Sequence, residues 1–262
     1  MKDIVKSLIK LVIKTTIPPD IRKRGRRHKE PIDHYIEVID YVLRTGIQWN
    51  QLHEKLHFTT YHKKFILWSR RKVFQNTYTI LLKLLKAQKY LTDSDLLNLY
   101  IDSSMIKNIR GHNNFGPNHY DRGRKGNKVT VIVTNKGIPL AINFDKSNTA
   151  DINLVELTLD NIHFKILGSR LIADKGYVSK KHKHKLRTTK QIYLVYPSKS
   201  NQKRNLPEIQ KKLLSKRNIV ENFFAWIQSY RRIRVRYETS LANYSQFYYL
   251  ALVNLIANKV DL

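Results

Sequence analysis

The chain has no cysteine among its 262 residues. That excludes disulfide staples and thiolate metal sites, and it fits a reducing compartment. Long apolar runs are also missing. The opening stretch "MKDIVKSLIKLVIK" has an apolar stripe at Ile4, Leu8, Leu11 and Val12, but Lys6, Lys10 and Lys14 interrupt it. It is therefore neither a signal-peptide core nor a membrane span, and an amphipathic helix packed on the rest of the protein is expected. A mitochondrial presequence would usually be Arg-rich and would lack Asp3. Internal repeats are absent. Acidic residues are scarce, with 20 Asp plus Glu against 49 Lys plus Arg and a formal net charge of +29. Such an excess points to a polyanionic partner, because cations that neutralise phosphates release condensed counterions. Ribosomal and membrane-surface proteins share this bias.

The remaining composition, 42% hydrophobic and 26% charged, is that of a globular chain long enough to bury a sizeable core. The first ninety or so residues read as helical. A proline-bounded basic linker, "PPDIRKRGRRHKEP", separates the opening helix from a second over Ile32 to Arg44, which Gly46 ends. Further helices follow, with Thr59 or Thr60 as a cap. This pattern suggests a small helix-turn-helix-like module over residues 1–92, with DNA contact or a purely structural role as the alternatives.

From about residue 93 the pattern changes. "LLNLYIDSS" reads as a strand ending near Asp102. "KVTVIVTN" and "IPLAINFDKS" read as an antiparallel pair turned at Asn135-Lys136-Gly137. Thr149 or Asp151 can cap a helix before the strand "SRLIAD". A short helix, the strand "QIYLVYP", a long helix from about Asn205 to Tyr230 and a final helix complete the chain. Residues 93–262 are thus expected to form one α/β domain, a mixed sheet flanked by helices. Residues 108–127 form a loop whose length and composition suit a segment that orders against nucleic acid.

Three acids stand out by position: Asp102 and Asp174 at strand ends, and Glu221 on the long helix. Three converging carboxylates repel one another, and a hard divalent cation among them relieves the repulsion. Mg2+ is the first choice and Mn2+ the alternative. Two such ions could clamp the attacking and leaving oxygens of an in-line phosphoryl transfer. Taken singly, Asp102 could cap a turn before Ser103, Asp174 could form an Asx-type turn, and Glu221 could pair with Arg217.

These residues also carry a family resemblance. "YIDSSMIK", "LIADKGY" and "KRNIVENFFAWIQSYRRIRVRYE" resemble the three acidic blocks of DDE transposases of bacterial insertion sequences, of the insertion-sequence-five type. "VIDYVLRTGIQWNQL" resembles that family's N-terminal block, and the likeness runs from about residue 22 to near 258. It implies an RNase H-like catalytic domain in which Asp102, Asp174 and Glu221 bind two Mg2+ ions, cleave element ends and join them to target DNA. It also implies that Arg217 matches the arginine four residues before the glutamate. Leu214 and Gln228 depart from the family's tyrosine and basic residue, and Arg231 and Arg232 lie where they could substitute.

The expected DNA contacts are Arg22, Lys23, Arg24, Arg26 and Arg27 in the linker, and Arg122, Arg124, Lys125 and Lys128 around the long loop. Lys175, Arg217, Arg231 and Arg232 complete the set. The linker cations could instead form a nuclear localisation signal or a solvated segment. His182 and His184 sit among lysines that would repel a metal. Trp49, Trp68 and Trp226 read as core rather than base-stacking residues. The partners expected are element ends and target DNA, engaged by a homodimer, with no membrane. The location would be cytoplasmic and nucleoid-associated in a bacterium, or nuclear in a eukaryote. A transposase-derived DNA-binding protein, or an RNase H-like nuclease without joining, would share most of these features.

Overall fold

The computed structural model describes residues 1–17, 30–197 and 206–260. The linker arginines and lysines 22–27, and Asn205 at the expected start of the long helix, lie outside the described residues. The helices are α1 (Asp3–Thr16), α2 (Ile32–Thr45), α3 (Phe58–Arg70), α4 (Val73–Ala87), α5 (Asp93–Leu96), α6 (Asp151–Leu159), α7 (Lys180–Lys190), α8 (Glu208–Leu214), α9 (Asn218–Ile227), α10 (Arg231–Arg234) and α11 (Leu241–Lys259). The strands are β1 (Asn98–Asn108), β2 (Gly116–Asn118), β3 (Arg124–Thr134), β4 (Pro139–Lys146), β5 (Arg170–Ile172), β6 (Tyr193–Val195) and the two-residue β7 (Val235–Arg236). Among the described residues, no helix is long and apolar enough to cross a membrane.

The chain divides into two compact units, one of residues 1–84, 109–113 and 227–262, the other of 85–108 and 114–226. The first is helical. In α1 the buried face is Val5, Leu8, Ile9, Val12 and Ile13, while Ile4 and Leu11 point to solvent. The stripe is therefore rotated from the one expected. Lys6 donates to Glu37 Oε1 at 2.6 Å and Lys10 to Asp33 Oδ2 at 3.1 Å, so the interrupting lysines join α1 to α2. Gly46 ends α2 in the left-handed region, φ +71°, as its position predicts. In α3 the capping position is His57, not Thr59 or Thr60.

Helix α11 belongs to this helical unit and not with the sheet, so the single 93–262 domain is divided differently from the sequence expectation. The reason is its surface. From Tyr244 to Ala257 nearly every side of α11 is buried, and Phe247 stacks on Phe65 at 4.1 Å. Asn254 donates to the buried Asp40 at 2.7 Å. An apolar helix of this kind needs cover on several faces, and the amino-terminal helices provide it.

The second unit is a mixed sheet with helices against it. Its strand path is β2-β3-β1-β5-β6, and β4 also pairs with β3. β3 runs antiparallel to both β1 and β4, whereas β5 and β6 run parallel to β1. This is the α/β mixed sheet flanked by helices that the order of elements implies, with the RNase H-like strand order that the family resemblance implies. Helix α6 packs on β3 and β4, and α7 on β6.

Three local details differ from expectation. β1 continues through Asp102 to Asn108, so the acid lies inside the strand. The 108–127 loop contains β2, which pairs antiparallel with the start of β3. The long helix is broken, with α8 ending at Leu214 and α9 starting at Asn218.

Candidate functional site

Register brings the first two acids together. Tyr100 of β1 pairs with Ile172 of parallel β5, so two residues further along Asp102 and Asp174 occupy the same level of neighbouring chains. Parallel strands are evenly spaced, which makes this juxtaposition a consequence of the backbone. β5 stops at Ile172, and Asp174 begins the 3-10 turn Lys175–Tyr177, its Oδ1 accepting the Gly176 N–H at 2.7 Å. A Cβ on Gly176 would lie 3.0 Å from that same oxygen, so any other residue there would displace the Asp174 carboxylate slightly. Asp174 is thus both an Asx-type turn residue and a partner of Asp102.

Asp102 is held by two donors. Its Oδ1 accepts the Ser103 N–H at 2.8 Å, and its Oδ2 lies 3.5 Å from Arg217 Nη2. Burial nevertheless raises its carboxyl above the usual carboxylate value. The charges of Asp174 and Asp151 push the same way, against the Ser103 N–H and Arg217.

The participation of Asp151 is not foreseen from sequence, where it is only a capping candidate. Ala150 takes the capping position, and the Asp151 carboxylate pairs instead with Lys128 Nζ at 2.8 Å. The other Asp151 oxygen lies 3.6 Å from where a Gly176 Cβ would stand. Beneath the acids, Tyr177 Oη is hydrogen-bonded to Ser103 Oγ at 2.9 Å, and that hydroxyl to Thr130 Oγ1 at 2.9 Å. Burial drives the Tyr177 phenol far up, and Asp151, Asp102 and Asp174 add to the effect. Period-two patterning along β1 and β3 could have suggested the Ser103–Thr130 pair, but nothing local marks Tyr177 as its third member.

Glu221 stands apart. It is exposed on α9, whose opposite side buries Val220, Phe223 and Ile227. Among the described residues it makes no hydrogen bond or ion pair. Arg217 precedes α9 instead of sharing a helix turn with Glu221, and it reaches Asp102; its Nε is buried without a partner. Among the described residues no three His, Cys, Asp or Glu side chains are grouped closely enough to hold a metal. His182 Nδ1 lies 3.0 Å from Ser179 Oγ at the start of α7.

The expected phosphate contacts separate by exposure. Arg122, Arg124, Lys125, Lys175 and Arg231 are exposed. Arg122 adopts a left-handed backbone, φ +52°, and the Lys125 ammonium lies over the Phe115 ring at 4.8 Å. Lys128 is 5% exposed and occupied by Thr149 O and Asp151. Arg232 is 5% exposed and paired with Glu238 at 2.8 Å. Lys128 is withdrawn from solvent against the Thr149 carbonyl and the partly exposed Asp151, and Arg232 is the counter-charge of the buried Glu238. Of the tryptophans, Trp68 is core, Trp49 is partly open and Trp226 is 50% exposed.

The sequence profile of the family described as "Transposase DDE domain" matches residues 95–256. A candidate transposase for insertion sequence element IS402 of Burkholderia cepacia is 29% identical over 132 residues. That match covers 47% of this chain and 59% of the relative, so the chain spans less than two thirds of its length. Two solved structures are also similar. One is a pre-cleavage Mos1 transpososome, with 12% identity, TM-score 0.28 and 91% and 80% of the two chains covered. The other is a Mos1 transposase paired-end complex with left transposon end, with 11% identity, TM-score 0.26 and 97% and 86% covered. Neither likeness is close enough to bear on what the chain does.

Proposed function

The chain belongs to the transposase DDE domain family, and on that footing we propose that it is a metal-dependent DNA transposase that cleaves the ends of an insertion sequence and transfers the strands to target DNA. The observation that carries this reading is the parallel register that sets Asp102 beside Asp174. Two carboxylates side by side, one of them largely buried, repel each other unless a cation is held between them.

The donor chemistry suits a hard ion. Both groups offer carboxylate oxygen, and the burial and repulsion that raise Asp102 are what a divalent cation relieves. Asp102 and Asp174 would hold Mg2+, with Mn2+ as a substitute, and Glu221 would join them through a movement of α9. When bound, such ions lower the pKa of an attacking water or 3′-hydroxyl and stabilise the departing oxygen. This chain's own residues supply position. The Gly176 N–H fixes one Asp174 oxygen, leaving the other for binding. Arg217, released from Asp102, would orient a phosphate, and Lys175 and the exposed cations around residues 122–125 would track the backbone. A homodimer holding two ends is the expected assembly.

The separation of Glu221 from the acid pair favours a second reading, a transposase-derived DNA-binding protein without catalysis. The two are resolved by a strand-transfer assay on DNA carrying the element's ends. Asp102→Asn, Asp174→Asn and Glu221→Gln should each abolish Mg2+-dependent transfer while end binding persists. Wild-type transfer by any of these variants would refute that acid's role, and inactivity of the wild-type protein would favour the second reading. Pre-cut 3′-hydroxyl ends that are never joined would identify a nuclease.

A further inference from the structure

The helical unit contains a cavity of about 440 Å3 that the strand-transfer chemistry does not use. Its size falls in the range of small-ligand sites, roughly 300–1,000 Å3. One wall is aromatic. Trp49 leans on His62 at 5.2 Å and on Phe65 at 5.7 Å between ring centres. Phe65 is itself stacked on Phe247, so the indole is braced from behind while part of it stays open. Tyr237, 39% exposed, stands among the other lining residues.

The polar lining is open to solvent and to a ligand. Gln48, Asn50, His62, Arg110 and Asn243 all line the cavity, and among the described residues none makes a side-chain hydrogen bond or ion pair. The lining also includes Glu238. One of its oxygens takes both Arg232 Nε and Nη2 at 2.8 Å. The other is buried and has no hydrogen-bond partner, although the side chain is only 6% exposed. His62 is held below its ordinary value by burial and by the Arg232 charge, so it stays a neutral donor and acceptor near neutral pH.

We propose that this cavity binds a single unstacked nucleobase, with the base stacked on Trp49 and its edge read by the amides of Gln48, Asn50 and Asn243. Each primary amide presents a donor beside an acceptor, the complement of a base edge. An indole stacks on any base, and the bland requirement of a π-face is met by all four. Arg110 supplies a cation for the attached phosphate. A purely apolar ligand would make no use of these polar groups, and a simple anion would not need the aromatic wall. The base could come from a bound strand, displaced from its stack at the cost that such extrusion requires, or from a free nucleotide. Placing it in DNA rests on the transposase reading; the nucleobase chemistry does not.

The test uses the full-length protein, a single-stranded oligonucleotide bearing one 2-aminopurine, and free deoxynucleoside monophosphates as competitors. Binding should quench the 2-aminopurine emission. Trp49→Leu should remove the quench and weaken binding roughly tenfold. Asn243→Ala, on the rim, should weaken the quenched complex about threefold to tenfold without changing the fold or thermal melting, and it keeps the test decisive if Trp49→Leu is unstable. Competition by free mononucleotides assigns the pocket to nucleotides, and its failure assigns it to strand-borne bases; both support a nucleobase site. Unchanged quenching and affinity in folded Trp49→Leu and Asn243→Ala would overturn it, as would no quench in the wild-type protein. Asp102→Asn should retain the full quench, so a failure of the catalytic reading stays separate from a failure of this one.

Discussion

Asp102 sits where burial and two neighbouring acids disfavour its charge, and that has a measurable consequence. A carboxyl whose folded pKa is raised binds its proton more tightly folded than unfolded. Stability therefore falls as the pH rises from the ordinary 3.8 through the raised value. Asp102→Asn should melt above wild type at pH 7 in chelator, with the difference closing as the pH drops toward 4. Added Mg2+ should reverse the ranking. At one hundred times its dissociation constant an ion stabilises the protein that binds it by about 2.7 kcal/mol. Wild type should gain that increment in a thermal scan and Asp102→Asn should not. At Gly176 the issue is space. Gly176→Ala places a methyl 3.0 Å from Asp174 Oδ1, and it should cost at most about 1 kcal/mol of stability while lowering strand transfer by more than tenfold. A variant with normal transfer would show that the Asp174 carboxylate tolerates displacement.

Among elements, the end of α2 is a sharp case. Gly46 has φ +71°, and a Cβ there would lie 3.0 Å from Arg231 Cβ. Gly46→Ala should therefore destabilise by more than about 1 kcal/mol, read as a lower denaturant midpoint at unchanged slope. Arg232, one of the cations expected on DNA, joins Glu238 inside the helical unit. Removing one member of a buried pair costs about 3–5 kcal/mol because the other is left charged and unpaired. Arg232→Ala should lose that stability, whereas Arg231→Ala, at an exposed position, should stay within about 0.5 kcal/mol of wild type. The broken helix follows a similar logic. Its pattern reads as continuous because Glu208–Leu214 and Asn218–Ile227 are each helical in spacing, and nothing between them is a proline or glycine. Arg217, drawn to Asp102 across the sheet edge, lies in the break between them.

Across the whole molecule, charge governs. With a net +29, binding to non-specific duplex should be strong and steeply salt-dependent. If 6 to 10 phosphates are contacted, affinity should fall by roughly 10³–10⁵ between 50 and 200 mM salt. A shallow slope in a filter-binding titration would mean that most of this charge faces elsewhere. Composition alone determined the charge behind this expectation, as it did the lack of disulfides. Local pattern determined most element identities, the Gly46 stop, and the existence of the strand that carries Asp102 and the one that leads to Asp174, because hydrophobic period and turn chemistry act over a few residues. Tertiary structure decided the rest. The register that places those two acids side by side is set by strands far apart in sequence. The pairing that buries Lys128 and Arg232 depends on which acids fold against them. Asp151 faces Asp102 only because α6 crosses the sheet there. Trp49 lines a cavity instead of filling the core because of where α3 and α11 meet it. Apart from Arg232 and Glu238, which lie six residues apart, each deciding contact joins residues distant in sequence, and no short stretch contains both partners.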